Sequence, residues 1–357
     1  MDLFVIDTPL QLLNAIEVRH YFDIGPSPLL ILKWNFWPKI AFERLLKEIE
    51  WKEIIWLEMD IIRPAFSHSV LDSNTQDGIN EYVWTLRQYL RRRNLEKTLS
   101  RFGPVKRLIA GSLINLGYMC HVVNYVSCSE IIAVDDGTFT LDVAALRREK
   151  ARNINQVPRL GFIKSVKKVF RERYVEWYTQ QPRSVRFFTA YDVLFGPDDY
   201  VVTNKYDWLR AHITRTNTNG QIYFLGQPLI EDGYLTEETY FYYLEKITSY
   251  LGRENMFYLP HKRESARTVS MVESKLKLPI KRFNEPIEIA IGNALPSILA
   301  SFHCSALESC AMIFGDTFKT AAFYLPPETL LCGKESVEGV YSYFRKRQSA
   351  FFQVIEV

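Results

Sequence analysis

The sequence predicts an α/β protein with two units of alternating strands and helices. Short apolar runs of strand length recur through the first half of the chain, separated by stretches with helical periodicity, and the same alternation starts again in the second half. The length of 357 residues also favours two domains over one small core. Such alternation is typical of a mainly parallel sheet that is covered by helices on both faces.

The first unit opens with a strand, a tight turn and a helix. Residues 3–6 are predicted as a buried strand, Asp7-Thr8-Pro9 as the turn, and "LQLLNAIEVRHYF" as the helix. A further helix is predicted over residues 78–101. Four more strands are expected, with the sequences "PLLILKW", "EIIWLEM", "RLIAGS" and "EIIAV".

The second unit shows the same alternation of strands and helices, but its sequence does not repeat that of the first unit. Its strands are expected within "QIYFLGQPL", "NMFYLPHKR", "IEIAIG", "SILASFHCSALESC" and "TAAFYL", and a long helix over residues 236–251. Turn-forming residues in "FGPDDY" and "RTNTNG" place the domain change near residues 190–218. We therefore predict a first domain over residues 1–200, a second over residues 201–340, and a C-terminal tail over residues 341–357.

Composition excludes several classes of protein. Hydrophobic residues make up 47% and charged residues 24%, which indicates a folded chain, and a net charge of +3 gives no reason to expect nucleic-acid binding. The five cysteines show neither metal-ligand spacing nor a disulfide framework, so a reducing cytoplasm is expected. The N-terminus has no basic segment of the kind found in signal peptides, and no apolar run approaches the roughly 18 residues of a membrane-spanning helix.

Positive charge is concentrated in residues 147–178. Ten Lys or Arg and two Glu lie between Arg147 and Arg173, so the rest of the chain sums to −5. Apolar residues at three-to-four spacing in "GFIKSVKKVFRERYVEWY" predict an amphipathic basic helix. Two interpretations remain open: the helix contacts a membrane surface or an acidic substrate, or it is a solvated helix docked on its own domain.

Polar and small residues follow three predicted strands of the first unit. Ligands of open α/β sheets bind at the carboxyl ends of the strands, where helix N-termini also attract anions. We therefore treat these residues as candidates, although turn formation and helix capping are the commoner roles of such residues. They are Thr8 and Gln11 after the first strand, Gly111 and Ser112 after "RLIA", and Asp135, Asp136 and Gly137 after "IIAV".

The second unit offers candidates for binding a phosphate and a ribose. His261 ends a strand and is followed by two cations, Lys262 and Arg263, so it is well placed to meet a phosphate. Ser305 precedes a helical stretch and could bind phosphate or cap the helix. Glu288, in or beside the expected strand "IEIAIG", has paired oxygens that match the cis hydroxyls of a ribose.

The "DDG" at residues 135–137 has a second copy, "EDG", at residues 231–233. No HxxxH, HExxH or clustered Cys/His pattern occurs, and adjacent side chains on a strand face opposite ways. The "DDG" is therefore better explained as one general base with a supporting neighbour than as a metal pair. The later copy lies after a proline and before a helix, and we interpret it as a turn and cap.

Taken together, the motifs resemble those of bacterial sialyltransferases. The segments "TPLQLLNAIE", "VDDG", "LGQP", "YLPHKRE" and "HCSALES" are similar, in order and wide spacing, to a superfamily with a D/E-D/E-G motif, a His-Pro motif and a serine motif, including glycosyltransferase families 52, 38, 80 and 97. The resemblance covers most of the chain. Two positions depart from the pattern, with Lys262 in place of the proline and Cys304 in place of a first serine.

The resemblance implies a GT-B fold, two Rossmann-like domains facing each other across a cleft, with the acceptor on the first domain and the CMP-sugar on the second. It makes Asp135 or Asp136 the general base, with Asp135 preferred, and places His261 at the leaving phosphate. Gly137, Gly111 and Ser112 would support the base. The remaining implied contacts to the donor come from Ser305, Glu288, Gly226, Gln227, Lys262, Thr8 and Gln11.

The function implied is an inverting, metal-independent sialyltransferase. It would move sialic acid from CMP-sialic acid to a terminal galactose or N-acetylgalactosamine of a bacterial surface glycan such as O-antigen, lipooligosaccharide or capsule. We expect no cofactor, a lipid-linked acceptor, no nucleic acid, and a cytoplasmic protein with peripheral contact to the inner membrane. The alternatives are another donor (a CMP-nonulosonate, CMP-Kdo or another nucleotide sugar) and a noncatalytic sugar- or nucleotide-binding protein.

Overall fold

The computed structural model describes residues 1–35, 37–59, 76–111, 113, 117–152, 182–213 and 216–357. Within these residues the strands form two wholly parallel sheets. The first sheet has seven strands, in the order of residues 53–59, 28–34, 2–6, 105–110, 128–134, 186–189 and 200–203. The second sheet has five strands, in the order of residues 352–355, 319–323, 298–301, 222–225 and 256–259. The predicted α/β fold, with two Rossmann-like domains, is confirmed.

The first domain alternates strands and helices as predicted. Its strands are β1 (Asp2–Ile6), β2 (Pro28–Trp34), β3 (Glu53–Met59), β4 (Val105–Ala110), β5 (Cys128–Val134), β6 (Arg186–Thr189) and β7 (Tyr200–Thr203). Its helices are α1 (Pro9–Tyr21), α2 (Ile40–Glu48), α3 (Gln76–Leu99), α4 (Gly117–Tyr125) and α5 (Phe139–Arg152). The central strand β1 is buried on both faces from Leu3 to Ile6, which explains its continuous apolar sequence.

The second domain follows the short helix α6 (Asp207–His212). Its strands are β8 (Ile222–Leu225), β9 (Met256–Leu259), β10 (Ile298–Ser301), β11 (Lys319–Phe323) and β12 (Phe352–Ile355). Its helices are α7 (Glu237–Leu251), α8 (Ala266–Leu276), α9 (Ile287–Ala290), α10 (Ser305–Phe314) and α11 (Lys334–Lys346). Threonine and serine side chains at residues 236 and 265 cap α7 and α8, because each accepts the N–H group three residues later.

Three details of the predicted organisation differ from the structure. Strand β7 extends to Thr203 and pairs with β6, so the first sheet continues beyond the predicted boundary at residue 200. Residues 341–357 are not a tail, because β12 pairs with β11 and α11 packs against it. The "IEIAIG" run is the short helix α9 followed by a 3₁₀ turn, since the carbonyl of Pro286 accepts the N–H groups of Ile289 and Ala290.

Most of the predicted basic segment over residues 147–178, including the whole amphipathic helix "GFIKSVKKVFRERYVEWY", lies outside the described residues. Its first residue, Arg147, is described and buried, and it binds Asp199 through two nitrogens at 2.5 and 2.6 Å. The same guanidinium donates to the carbonyls of Pro182 and Arg183, each at 3.1 Å. Arg147 therefore stabilises the first domain rather than presenting charge to a partner. Among the residues that the structure describes, no helix is both long and apolar enough to cross a bilayer.

The two domains contact each other on both sides of the cleft. On one side, Arg44 of α2 binds Glu285 at 2.6 Å, and Nζ of Lys262 lies 4.4 Å from the centre of the Trp37 ring. On the other side, α11 returns to the first domain, where Ser336 donates to Asp142 at 2.7 Å. These contacts hold the carboxyl ends of the two sheets against each other.

The segment between the domains is tied to α1. Glu17, which is buried, accepts the N–H groups of Trp208 and Leu209 at 3.0 and 2.8 Å, at the start of α6. Burial is the main reason why the pKa of Glu17 rises to about 7. Asn14 of α1 adds a hydrogen bond to Asn204 at 3.1 Å.

Candidate active site

The carboxyl ends of β1, β4 and β5 form one edge, because these three strands are neighbours in the first sheet. Gln11, fully buried, lies across this edge and accepts the N–H of Asp7 at 2.9 Å. A Cβ atom on Gly111 would lie 2.0 Å from Oε1 of Gln11, so only glycine leaves space for this amide. Thr8 caps α1 by accepting the Gln11 N–H at 3.1 Å. Ser112, the other supporting residue predicted here, lies outside the described residues.

Asp7 is a buried carboxyl group at this edge that the sequence analysis assigned only to a turn. Its Oδ2 accepts a hydrogen bond from Nε1 of Trp34 at 3.2 Å and a short one from the Tyr118 hydroxyl. Burial raises the pKa of Asp7, and these hydrogen bonds offset part of the rise. Asp7 therefore adds a third carboxyl group to the two of the "DDG" motif, Asp135 and Asp136.

The two aspartates of the "DDG" motif have different surroundings. Asp135 is buried, with Oδ1 accepting from the Thr140 hydroxyl at 3.0 Å and Oδ2 from the Ala190 N–H at 2.7 Å. These bonds join the end of β5 to the start of α5 and to the loop after β6. Burial raises the pKa of Asp135 to about 6. The hydrogen bonds of Asp135 therefore stabilise the packing of β5, α5 and the loop after β6.

Asp136 is half-buried. Burial is the largest cause that raises the pKa of Asp136 to about 7, and the charge of Asp7 is the next. Gln11 and Arg263 act in the opposite direction. Arg263 belongs to the second domain, so a charge of that domain acts on Asp136.

His261 stands at the end of β9, in a turn that fixes the orientation of its ring. Nδ1 of His261 accepts the N–H of Arg263 at 3.2 Å, so we assign the proton of the neutral ring to Nε2. Burial is the largest cause that lowers the pKa of His261 to about 4, and the charges of Arg263 and Lys262 act in the same direction. The ring is therefore a neutral hydrogen-bond donor near pH 7.

Glu264 organises the same turn. Its carboxylate accepts short hydrogen bonds from the N–H of His261 and the hydroxyl of Tyr258, and the Tyr240 hydroxyl lies 3.4 Å away. Burial raises the pKa of Glu264 to about 7. A Cβ atom on Gly226 would lie 2.4 Å from both Oε2 of Glu264 and the Tyr258 oxygen. Gly226 thus makes room for this cluster, which explains a glycine at the end of β8.

Gly137 and Ser305 bring the two domains into direct contact. Gly137 has a φ of +66°, and a Cβ atom there would lie 2.8 Å from Oγ of Ser305, at the start of α10. The void beside this contact measures about 10 Å³ and is lined from both domains, including Leu10, Tyr191 and Glu308. The "DDG" turn and the serine motif, 168 positions apart in the chain, therefore meet in the fold.

Two other predicted donor-binding residues make internal contacts. Oε1 of Gln227 accepts the N–H of His303 at 2.9 Å and the Ser301 hydroxyl at 3.3 Å, which ties the end of β8 to the end of β10. Glu288 is buried and accepts the Ser309 hydroxyl at 2.7 Å, and burial raises its pKa. Both residues lie on the second domain, on the side of the cleft where the nucleotide was predicted.

The second acidic copy, Glu231-Asp232-Gly233, forms a turn and a cap as predicted. Glu231 accepts the N–H of Ser265 at 2.8 Å and the hydroxyl of Thr268 at 2.7 Å, so it caps α8 instead of the helix that follows it in sequence. Asp232 binds Arg263. In the described part of the chain, no group of three or more His, Cys, Asp and Glu side chains is arranged to hold a metal ion.

Several residues of this region escaped the sequence analysis. Asp7, Trp34 and Tyr118 come from β1, β2 and α4, and no local pattern links them. The signal that could have found Asp7 is its position, since it ends a central buried strand where a carboxylate is costly unless it is bonded. Glu264 was visible beside His261 but received no role, and Arg263 was considered only as a cation beside a phosphate.

No protein-family profile matches this chain, and no curated protein matches it. Solved structures that align with nearly its whole length include E. coli heptosyltransferase WaaC with ADP-2-deoxy-2-fluoro heptose, at 10% identity over 98% of this chain and 100% of that one, with a TM-score of 0.41. Arabidopsis thaliana UGT89C1 aligns at 10% identity over 100% and 84%, with a TM-score of 0.49. The calicheamicin glycosyltransferase CalG4 aligns at 8% identity over 99% and 85%, with a TM-score of 0.44.

Proposed function

We propose that this chain is an inverting glycosyltransferase that moves sialic acid from CMP-sialic acid to a terminal galactose or N-acetylgalactosamine of a bacterial surface glycan. The observation that carries the proposal is the contact between the two walls of the cleft, that is, the carboxyl ends of the strands of the first domain and those of the second domain. The turn of Gly137, which carries Asp136 on the first domain, contacts Ser305 on the second domain, and the charge of Arg263 on the second domain lowers the pKa of Asp136. A base on one wall and phosphate-binding groups on the other are what transfer to an alcohol requires.

Asp136 is the proposed general base. A base is most effective when its pKa lies near the working pH, and the pKa of Asp136 is raised to about 7. Asp135, preferred from the sequence, has both of its oxygens engaged in hydrogen bonds within the first domain. We therefore assign the proton transfer to Asp136 and the support of the turn to Asp135.

The leaving phosphate would bind at His261 and Ser305. The Nε2–H of a neutral His261 donates a hydrogen bond to the phosphate oxygen that departs, and Ser305 offers its hydroxyl at the positive end of α10. Glu288 and Gln227 would lie along the nucleotide, whereas the ammonium of Lys262 stays over the Trp37 ring. This arrangement stabilises charge that develops only as the bond breaks.

The proposed reaction is a single displacement. The acceptor oxygen bonds to C2 of sialic acid while the bond from C2 to the phosphate oxygen breaks, and its electron pair leaves with CMP. The acceptor proton passes to the Asp136 carboxylate. Attack from the face opposite the phosphate inverts C2, and no step calls for a metal ion.

The choice of CMP-sialic acid rests on the resemblance of the motifs, and a different nucleotide sugar is the alternative. To test it, the full chain would be incubated with a galactose-terminated acceptor and a panel of CMP, UDP, GDP and ADP sugars, with release of the nucleotide measured. We expect CMP release from CMP-sialic acid to exceed release from every other donor at least tenfold. Preference for a different donor would replace the proposed substrate.

Absence of turnover with all donors would favour a noncatalytic binding protein. In that event Asp136→Asn should leave nucleotide binding unchanged and there would be no activity to lose. For an enzyme, Asp136→Asn should abolish transfer while the Kd of CMP stays within about threefold, because the base lies on the wall opposite the nucleotide. The proposed cytoplasmic location and peripheral contact with the inner membrane can be tested by cell fractionation.

A further inference from the structure

Arg263 lies in the turn after β9, two residues from the proposed leaving-group residue His261. Its backbone N–H binds the ring of His261 at 3.2 Å, and its positive charge lowers the pKa of both His261 and Asp136. The side chain is 37% exposed, so a ligand in the cleft can reach it. The mechanism above gives this guanidinium no task.

The resting partner of Arg263 is Asp232. Both carboxylate oxygens of Asp232 contact Nη1, at 2.9 and 2.8 Å. Nη1 is one of three guanidinium nitrogens, so the edge formed by Nε and Nη2 keeps the fork geometry that matches a second carboxylate. Asp232 thus orients Arg263 without occupying the face that recognises carboxylates best.

The proposed donor, CMP-sialic acid, brings a carboxylate as well as a phosphate to the cleft. A sialic acid carries a carboxylate on the carbon that reacts, so this group comes within a few ångströms of the attacking oxygen and the departing phosphate. The first domain already holds three carboxyl groups here, Asp7, Asp135 and Asp136, and the charges of Asp7 and Asp135 both raise the pKa of Asp136. A donor carboxylate brought there without a cation would be repelled by the ionised base.

Other cations near the cleft are directed elsewhere. Lys262 lies over the ring of Trp37 at 4.4 Å, and Arg44 binds Glu285 at 2.6 Å. Arg263, bonded to the ring of His261 through its backbone N–H and 37% exposed, presents the Nε and Nη2 edge of its guanidinium beside the proposed leaving-group residue. That place matches a group attached to the reacting carbon.

We propose that Arg263 binds the carboxylate of the donor sugar and so selects a 2-keto-3-deoxy sugar acid over neutral hexose donors. This inference rests on the proposed function and adds to it a residue that determines specificity. Binding the carboxylate also orients C2 between Asp136 and the phosphate. Arg263 would keep its bond to Asp232 through Nη1 while Nε and Nη2 bind the donor carboxylate.

The test compares CMP-sialic acid with its C1 methyl ester, which lacks the negative charge. The wild type should prefer the acid about 10- to 100-fold in kcat/KM, the range expected for one hydrogen bond to a charged group. In Arg263→Gln this ratio should fall to within about threefold of one, with the Kd of CMP unchanged. Arg263→Lys, which keeps the charge but loses the fork, should give an intermediate ratio.

Arg267→Gln is the matched control, because Arg267 lies on α8 and pairs with Glu237 at 3.0 Å, away from the cleft. It should behave like the wild type. Retention of the full acid-to-ester ratio in Arg263→Gln would overturn the inference, as would a loss of CMP affinity, which would assign Arg263 to the phosphate. A wild type that turns over neither donor overturns the proposed function itself, before any variant is compared.

Discussion

Replacing Asp136 by asparagine should remove activity and stabilise the protein at the same time. Asparagine has nearly the shape of aspartate but neither accepts a proton nor carries charge. The base lies partly buried beside Asp7, so the fold bears the cost of its ionisation. A substitution that lowers activity and raises the free energy of unfolding is expected at a catalytic group that destabilises the fold.

The magnitude follows from the pKa of Asp136, about 7 in the fold against an ordinary value of 3.8. Each pKa unit corresponds to about 1.4 kcal/mol, which gives an upper bound of about 4 kcal/mol. Because the group is only half-buried and its titration is shared with Asp7, we expect about 1 to 4 kcal/mol. Since the folded pKa lies above the unfolded one, the stability of the protonated form is complete below about pH 4 and is lost as the pH rises through 7.

The assay is urea denaturation of wild type and Asp136→Asn at pH 5 and pH 8.5, followed by circular dichroism. The variant should unfold with a larger free energy than the wild type at pH 8.5, and the difference should shrink toward pH 5. Asp135→Asn is the matched control. The ionisation cost that it removes is smaller, because the pKa of Asp135 is about 6. Asparagine also has one acceptor oxygen where Asp135 uses two, for the Thr140 hydroxyl and the Ala190 N–H, so one donor loses its acceptor at a cost of about 1 to 3 kcal/mol. The net change in stability should therefore be smaller than that of Asp136→Asn.

One pattern of results would refute this reasoning. If Asp136→Asn retains transfer while Asp135→Asn loses it without loss of stability, then the roles of the two aspartates are reversed. If neither variant changes the pH dependence of stability, the carboxyl groups at this edge are ionised without cost, and the assignment of a raised pKa is wrong.

Three further predictions concern the same region. The kcat/KM for transfer should rise with pH and level off above about 7 as Asp136 ionises, and a profile flat from pH 5.5 to 9 would contradict the proposed base. Gly137→Ala should lower the Tm and the activity, because its positive φ costs about 1 to 2 kcal/mol for alanine and the new methyl meets Ser305; a Tm equal to that of the wild type would mean the walls do not touch. Glu17→Ala should cost at least about 2 kcal/mol in urea denaturation, since two buried N–H groups at the start of α6 lose their acceptor, and a smaller loss would show that water replaces it.

Much of the fold was accessible from the sequence because the buried strands are continuous apolar runs. The predicted run "PLLILKW" matches β2 and "EIIWLEM" matches β3, from first to last residue. The "IEIAIG" run failed because alternating apolar residues over five positions fit a helix turn as well as a strand, and Pro286 starts the helix. Strand β12 was missed because its four residues are only partly buried and give a weak pattern.

The candidate site was harder to predict because its contacts are long-range. Asp7 binds Trp34 and Tyr118, which lie 27 and 111 positions away, and only the order of strands in the sheet brings them together. The choice between Asp135 and Asp136 depends on which way each side chain turns after β5. That direction is fixed by partners at Thr140 and Ala190, which sequence spacing does not reveal.

The close contact of Gly137 with Ser305 has a kinetic consequence. The void beside it, about 10 Å³, is the size of one water molecule, whereas a ligand pocket needs about 300 Å³ or more. A donor phosphate can therefore reach Ser305 only after the domains separate. The contacts of Lys262 with Trp37 and of Arg44 with Glu285 resist this opening by about 1 to 2 kcal/mol in all. Donor capture is then gated, and its observed rate should reach a plateau at high donor concentration, where the opening of the cleft becomes the slow step.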